Sequence, residues 1–110
     1  MLNYCLSKPG AWRDEPWEGD VVAKVATKIF AFLGSDTSVG VKCGRTRDEA
    51  DEWLARFPQD AEVMPYIGRS DWNSLRLDGA IPTEELREAV DASYEAVLSK
   101  VPKKDRPTAT

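Results

Sequence analysis

The chain has 110 residues, 42% hydrophobic and 31% charged, with a net charge of −4; this suits one domain around one core and excludes a disordered chain. It has no histidine, which removes Ser-His-Asp and Cys-His catalysis and every histidine-based metal site. Cys5 and Cys43 stand in no C-x-x-C pair, so neither a zinc site nor a disulfide framework is expected.

Leu2, Cys5 and Leu6 fall at helical spacing and Pro9-Gly10 stops them, which predicts a short first helix. Residues 11–18, AWRDEPWE, read as a loop carrying two tryptophans, because Pro16 opposes regular structure. Residues 20–25 and 28–34 are rich in Val, Ile and Phe and read as a hairpin turning at Ala26-Thr27. Strict alternation in the second segment puts Ile29, Ala31 and Leu33 on one face, and Phe30 and Phe32 on the other. Both faces are apolar, so a central strand partly covered on both sides is expected. After a turn at Gly34-Ser35-Asp36, residues 38–43 alternate Val39, Val41 and Cys43 against Ser38, Gly40 and Lys42, the pattern of a half-buried strand.

Thr46-Arg-Asp-Glu49 fits a capping box, with Thr46 as N-cap and Glu49 reaching back. Ala50, Trp53, Leu54 and Phe57 form the stripe of the helix that follows, and Pro58 ends it. Residues 62–66 suit an edge strand, because Pro65 is out of place in a central one. Residues 72–78 form the next strand, with Asn73, Leu75 and Leu77 facing one way and Trp72, Ser74, Arg76 and Asp78 the other. Asp78-Gly79 turns the chain. Pro82-Thr83-Glu84-Glu85 starts a helix, either with Pro82 in the first turn or with Thr83 as cap, and with acids at the positive end of the dipole. Leu86, Ala89, Val90, Ser93, Tyr94, Val97 and Leu98 line its buried face, and it ends near Lys100, before Pro102.

The order is therefore α-β-β-β-α-β-β-α. It predicts a single α+β domain over residues 1–102, with a mainly antiparallel five-stranded sheet flanked by helices. Residues 103–110 are expected to form a polar, mobile tail. The longest apolar run, residues 29–33, is far short of the ~18 residues of a membrane span. The N-terminus MLNYCLSKPG has neither a basic n-region nor a long apolar h-region. A reduced, cytoplasmic protein without a membrane partner is the expectation.

Several stretches, taken in order, resemble the MmcQ/YjbR family of small bacterial proteins over nearly the whole chain. They are YCLSKPGA at 4–11, EPWEGDVVAKV at 15–25, KIFAFLG at 28–34 and VGVKC at 39–43. A helix ending in FP at 57–58, DWNSLRLDG at 71–79 and IPTEELREAVDASYEAVLSKVPKK at 81–104 complete the series. The resemblance implies an α/β fold compared with the frataxin-like (CyaY-like) fold and with a double-wing DNA-binding architecture. The family pattern commonly places a basic residue or histidine just before the tryptophan of DWN. Ser70 and Asp71 stand there in this chain, and Arg69 is the nearest positive charge.

The charges are unevenly spread. Residues 21–47 carry Lys24, Lys28, Lys42, Arg45 and Arg47 against Asp36, whereas residues 48–68 carry Arg56 against six acids. Residues 100–110 are basic again, with Lys100, Lys103, Lys104 and Arg106 against Asp105. A basic strand face is the usual electrostatic footprint of phosphate binding. The leading expectation is a non-enzymatic DNA-binding module that uses Lys24, Lys28, Lys42 and Arg45 with Arg69, Trp72 and Arg76. In it Trp72 offers a stacking face and Arg76 a phosphate or base-edge contact. The plainer reading has Trp72 packing beside a helix, and the lysines on solvated strands where they oppose edge aggregation.

The alternative class is a protein- or peptide-interaction module with an apolar aromatic groove near Trp17 and Trp72. Trp12, Trp17 and Tyr66 either line such a groove or seal the end of the sheet. Asp48, Glu49, Asp51 and Glu52 lie in the first turns of a capped helix, where acids stabilise the dipole, so no metal site is expected from them. No catalytic residue and no cofactor are predicted: there is no activated-nucleophile signature, and Gly34, Gly40 and Gly44 match no phosphate-loop spacing.

Overall fold

Gly10, at φ 71°, takes the chain out of the first helix, α1 (Leu2–Leu6), and straight into a strand, β1 (Ala11–Asp14). This strand corrects the expected loop over 11–18. Pro16 lies beyond it, and its alternation is weak because β1 is a sheet edge with Trp12 and Arg13 exposed. The computed structural model describes residues 1–34, 36–64 and 71–106. Beyond β1 come β2 (Val22–Val25), β3 (Lys28–Phe32), β4 (Ser38–Lys42), α2 (Arg47–Arg56), β5 (Ala61–Val63), β6 (Trp72–Arg76) and α3 (Thr83–Leu98). A 3-10 turn follows at Lys103–Asp105, and the Arg106 guanidinium folds back to donate to the Val101 carbonyl at 2.9 Å. The expectations for Ser35, Pro65, Tyr66, Arg69, Ser70 and residues 107–110 fall outside the described residues.

The class is α+β. The sheet is antiparallel throughout, with six strands rather than five, in the order β1-β2-β3-β4-β6-β5. The expected hairpin forms, and its Ala26-Thr27 turn holds Ala26 at φ 54°. The short strand after α2 is an edge strand, but it covers Ala61–Val63 where 62–66 was expected, and Pro65, on which that expectation rested, lies outside the described residues.

The helices share one face of the sheet. Helix α1 packs on β1 and β2, α3 on β2, β3 and β4, and α2 on β5 and β6. The core between the layers includes Ala23, Val25, Phe30, Ala31, Val39, Val41 and Leu75 from the strands, with Leu86, Ala89, Val90, Tyr94 and Val97 from α3. The final-helix stripe is buried as expected, except that Leu98 is half-buried. Thr46 caps α2 by accepting from the Glu49 amide at 3.2 Å. Glu49 itself reaches back one residue further than a capping box requires, to the Arg45 amide. Pro82 stands at the N-cap position of α3 and Thr83 is the helix's first residue rather than its cap.

One detail of register decides the site. Ala23 pairs with Ala31, but Lys24 pairs with Ile29, so β3 carries an extra residue, Phe30. Such a bulge resets which side chains share a face. Phe30 therefore joins Ala31 in the core, edge-on to Tyr94 at 5.2 Å, while Phe32 meets Trp72 at 5.6 Å. Strict alternation had placed Phe30 and Phe32 together, and the bulge overturns that.

The same bulge is where the β3–β4 ladder stops. The register Ala31↔Val41 and Phe32↔Gly40 would continue to Phe30 and Lys42. Instead the buried Ser93 hydroxyl of α3 stands between them, donating to the Phe30 carbonyl at 2.6 Å and accepting from the Lys42 amide at 3.0 Å. The two strands part there, and both backbone groups remain satisfied.

Candidate nucleic-acid interface

A cleft of about 350 Å³ opens where β3 and β4 part. Lys24 of β2, Thr27, Lys28 and Ile29 line one side, Lys42 of β4 and Trp72 of β6 another, and Val97 of α3 with Lys100 just beyond its end complete it. Lys24, Lys28, Lys42 and Trp72 are thus brought together as the sequence suggested. Strands β2 and β4 do not pair with each other, and the gap in the sheet is what collects their side chains. Arg45 lies on an adjoining cavity of about 620 Å³, which shares Lys42 and Lys100 with the first and is also lined by Glu95.

The four lysines are not equivalent. Lys24 pairs with Asp14 at 2.8 Å, and its ammonium lies 5.1 Å from the Trp12 ring centre. The Lys24 hydrogen bond, helped by the Glu15 amide, holds the Asp14 carboxyl below its ordinary range. Lys42 pairs with Asp71 at 2.5 Å, with side chains 11% and 1% exposed. This pair belongs to the framework as much as to the cleft. Asp71 also accepts through its backbone carbonyl from the Cys43 amide at 2.7 Å, which carries the β4–β6 pairing one step further. Lys28, Arg45 and Lys100 are exposed and form no ion pair among the described residues.

Trp72 is half-buried and oriented by its edge-to-face contact with Phe32, at an interplanar angle of 80°. Behind it, Asn73 is fully buried, and its amide donates to the Ala50 carbonyl of α2 at 2.8 Å. Arg47 of α2 donates to the Trp72 carbonyl at 3.3 Å and to the Asn73 side chain. The DWN stretch is therefore clamped from the helical side and presents Trp72 to the cleft.

Two members of the expected set do not join this group. Arg76 is four residues along β6 from Trp72, roughly 13 Å away by strand rise. It pairs with Asp78 at 2.9 Å and lines a different, polar cavity with Asp60 and Glu62. Arg69 is outside the described residues. Lys100 was not singled out by its own position, although the basic stretch 100–106 flagged its neighbourhood.

Trp17 is 67% exposed on the β1–β2 connection and does not line the cleft that holds Trp72, so the two do not form one groove. Neither Trp12, at 43% exposure, nor Trp17 seals the sheet. The acids of α2 are engaged locally, Asp51 with Arg47 and Glu49 with the cap. Among the described residues no group of three potential metal ligands forms. No described helix is long and apolar enough to cross a membrane.

Chemically, the cleft offers exposed cations at its rim, two ion pairs in its wall and a flat aromatic surface. That combination suits a ligand carrying both negative charge and an apolar plane. The YjbR family profile matches residues 6–96. The uncharacterised YjbR protein of Escherichia coli K12 is 27% identical over 108 residues, which cover 96% of this chain and 91% of that one. A segment of the ATP phosphoribosyltransferase of Geotalea daltonii is 29% identical over 83 residues, covering 74% of this chain but 28% of that enzyme. Among solved structures, a Deinococcus radiodurans protein with the DUF419 domain superposes with a TM-score of 0.82 at 21% identity, covering 94% of this chain and 80% of that chain. A Pseudomonas syringae protein superposes with a TM-score of 0.65 at 15% identity, over 87% and 94% of the two chains. With the profile spanning most of its length, this chain belongs to the YjbR family.

Proposed function

We propose that the chain is a non-enzymatic nucleic-acid-binding module of the cytoplasm, which contacts phosphates through the basic cleft. The observation that carries this reading is the convergence of Lys24, Lys28, Lys42 and Lys100 from separate elements around Trp72, in a chain of net charge −4. Clustering of cations in an acidic chain is a local electrostatic feature rather than a consequence of composition. Two unpaired thiols, Cys5 and Cys43, agree with a reducing compartment. A similar segment within a protein named for ATP and phosphoribosyl transfer also fits a ligand built from nucleotide units.

The test is fluorescence anisotropy with a labelled oligonucleotide at two ionic strengths. Among the described residues lining the two cavities, Lys28, Lys100 and Arg45 are the cations without an ion pair, so about three phosphates are engaged. For a single strand that gives a log–log salt slope of roughly −2, or a loss of about 15- to 20-fold between roughly 50 and 200 mM salt. Lys28→Glu/Lys100→Glu is expected to abolish binding while leaving the fold intact, because both side chains are exposed. Absence of binding to any oligonucleotide at low salt rejects the reading. Salt-independent capture of an apolar peptide at Trp72 instead would establish the protein-interaction class.

A further inference from the structure

Resting on that nucleic-acid reading, we infer that the cleft takes an unpaired base of a single strand, with Trp72 as the stacking surface, and that duplex is not the ligand.

The number of available charges argues first. Lys24 and Lys42 are held by Asp14 and Asp71, so they add dipole rather than net charge. Among the described residues that line the cleft and its adjoining cavity, Lys28, Lys100 and Arg45 remain to neutralise phosphates. Duplex-binding proteins that depend on phosphate contacts commonly make about 6–10 of them. Three cations in an acidic chain fall well short, so a second source of affinity is required. A base stacked on an aromatic ring supplies about 1–3 kcal/mol in alanine substitutions, and Trp72 is the ring available.

Shape argues second. The cations surround a recess, not a ridge, and its volume of about 350 Å³ lies within the roughly 300–1,000 Å³ typical of sites for small planar ligands. A duplex keeps its bases stacked inside, and extruding one costs a few kcal/mol. A single strand has its bases already available. Helix α3 reaches the cleft with its last turn, through Val97, whereas helices that read a major groove present their N-terminal residues. An open sheet face with an aromatic residue on it is instead the platform that single strands use.

Preorganisation argues third. Trp72 is oriented by Phe32 in front and by the Arg47 bond to its carbonyl behind. Its cross-strand neighbour Lys42 is fixed on Asp71. Ser93 keeps β3 and β4 apart before any ligand arrives. The wall that receives the base therefore requires little ordering on binding, and the flexible parts are the two rim lysines.

The experiment compares a labelled short oligothymidylate with a blunt duplex of equal length at one ionic strength, using wild type, Trp72→Phe, Trp72→Leu and Lys28→Ala/Lys100→Ala. The single strand is expected to bind roughly tenfold tighter than the duplex, the ratio that one stacked base supplies. Trp72→Phe keeps most of that preference, and Trp72→Leu removes it. The lysine pair weakens both polymers together. Circular dichroism of Trp72→Leu identifies a folding defect, in which case the retained preference of Trp72→Phe and the lysine response decide. Equal or tighter duplex binding overturns the single-strand inference and leaves the nucleic-acid reading standing. Competition by ATP at equal nucleotide concentration also overturns it, in favour of a mononucleotide. Failure of every polymer to bind at low salt removes both.

Discussion

Lys42 sits at the centre of the cleft, yet it is a poor residue with which to probe binding. Its side chain is 11% exposed and that of Asp71, whose carboxyl receives the ammonium, is 1% exposed. Truncating one member of such a pair leaves the other charge in a medium that solvates it badly. Lys42→Ala is therefore expected to cost about 3–5 kcal/mol in urea denaturation, whereas exposed Lys28→Ala stays within about 0.5 kcal/mol. A Lys42→Ala protein of wild-type stability would show that Asp71 is compensated elsewhere. The cysteines give a second residue-scale prediction. Burial pushes both thiols, Cys5 and Cys43, up to about 11, and the thiolate is the reactive form. Ellman's reagent at about pH 8 should label neither in the native protein and both after unfolding. Rapid native labelling of Cys43, the more exposed of the two, would contradict that.

At the scale of elements, the site is a consequence of how α3 meets β3 and β4. Ser93 supplies one hydroxyl that completes two backbone groups of different strands. Ser93→Ala leaves the Phe30 carbonyl and the Lys42 amide either unsatisfied or free to bond directly and close the gap. The expected cost is about 1–3 kcal/mol by denaturation, with loss of oligonucleotide binding because the cleft narrows. Ser93→Thr retains the hydroxyl and is expected to retain binding. Wild-type affinity in a stable Ser93→Ala protein would show that the bulge alone holds the strands apart. Most elements were legible from the chain because they follow simple rules: the Thr46 cap, the α3 stripe and the Ala26-Thr27 turn all report local preferences. The edge strand β1 was hidden because an edge exposes half its residues and carries no strong alternation. The Phe30 bulge was hidden because one extra residue in a strand leaves composition unchanged and shifts only the pairing. The site suffered accordingly. Lys24, Lys28, Lys42 and Trp72 were found from charge and motif. The separation of Arg76, by contrast, depends on the local pairing with Asp78 and on distance along β6. The role of Lys100 depends on where α3 ends relative to a gap that only the bulge and Ser93 create.

Over the whole molecule, the acidic balance sets how stability responds to pH. Asp14 is held below its ordinary range by Lys24 first and the Glu15 amide next. Asp91 is also lowered: burial opposes ionisation, but the hydrogen bonds from Lys8 and Tyr4 outweigh it. A carboxyl with a depressed folded value stabilises the fold above its unfolded value, and that stabilisation is lost as pH falls through the folded one. On the alkaline side, Tyr4 is raised, chiefly by its hydrogen bond to Asp91. Lys8 is raised as well; burial lowers it, and the Asp91 and Tyr4 contacts more than offset that. The two thiols stand at about 11, raised mainly by burial. Groups raised on folding stabilise below their unfolded values and cease to do so as pH climbs through the folded ones. Both sets thus favour the interval between the carboxylate range and the thiol range. The thermal midpoint by calorimetry is expected to be flat from about pH 5 to about pH 8. It should fall on the acid side as Asp14 and Asp91 protonate, and on the alkaline side as the unfolded chain's thiols, Tyr4 and Lys8 lose protons. A maximum at the isoelectric point near 4.8 would instead mean that overall charge repulsion, rather than these specific pairs, governs the molecule.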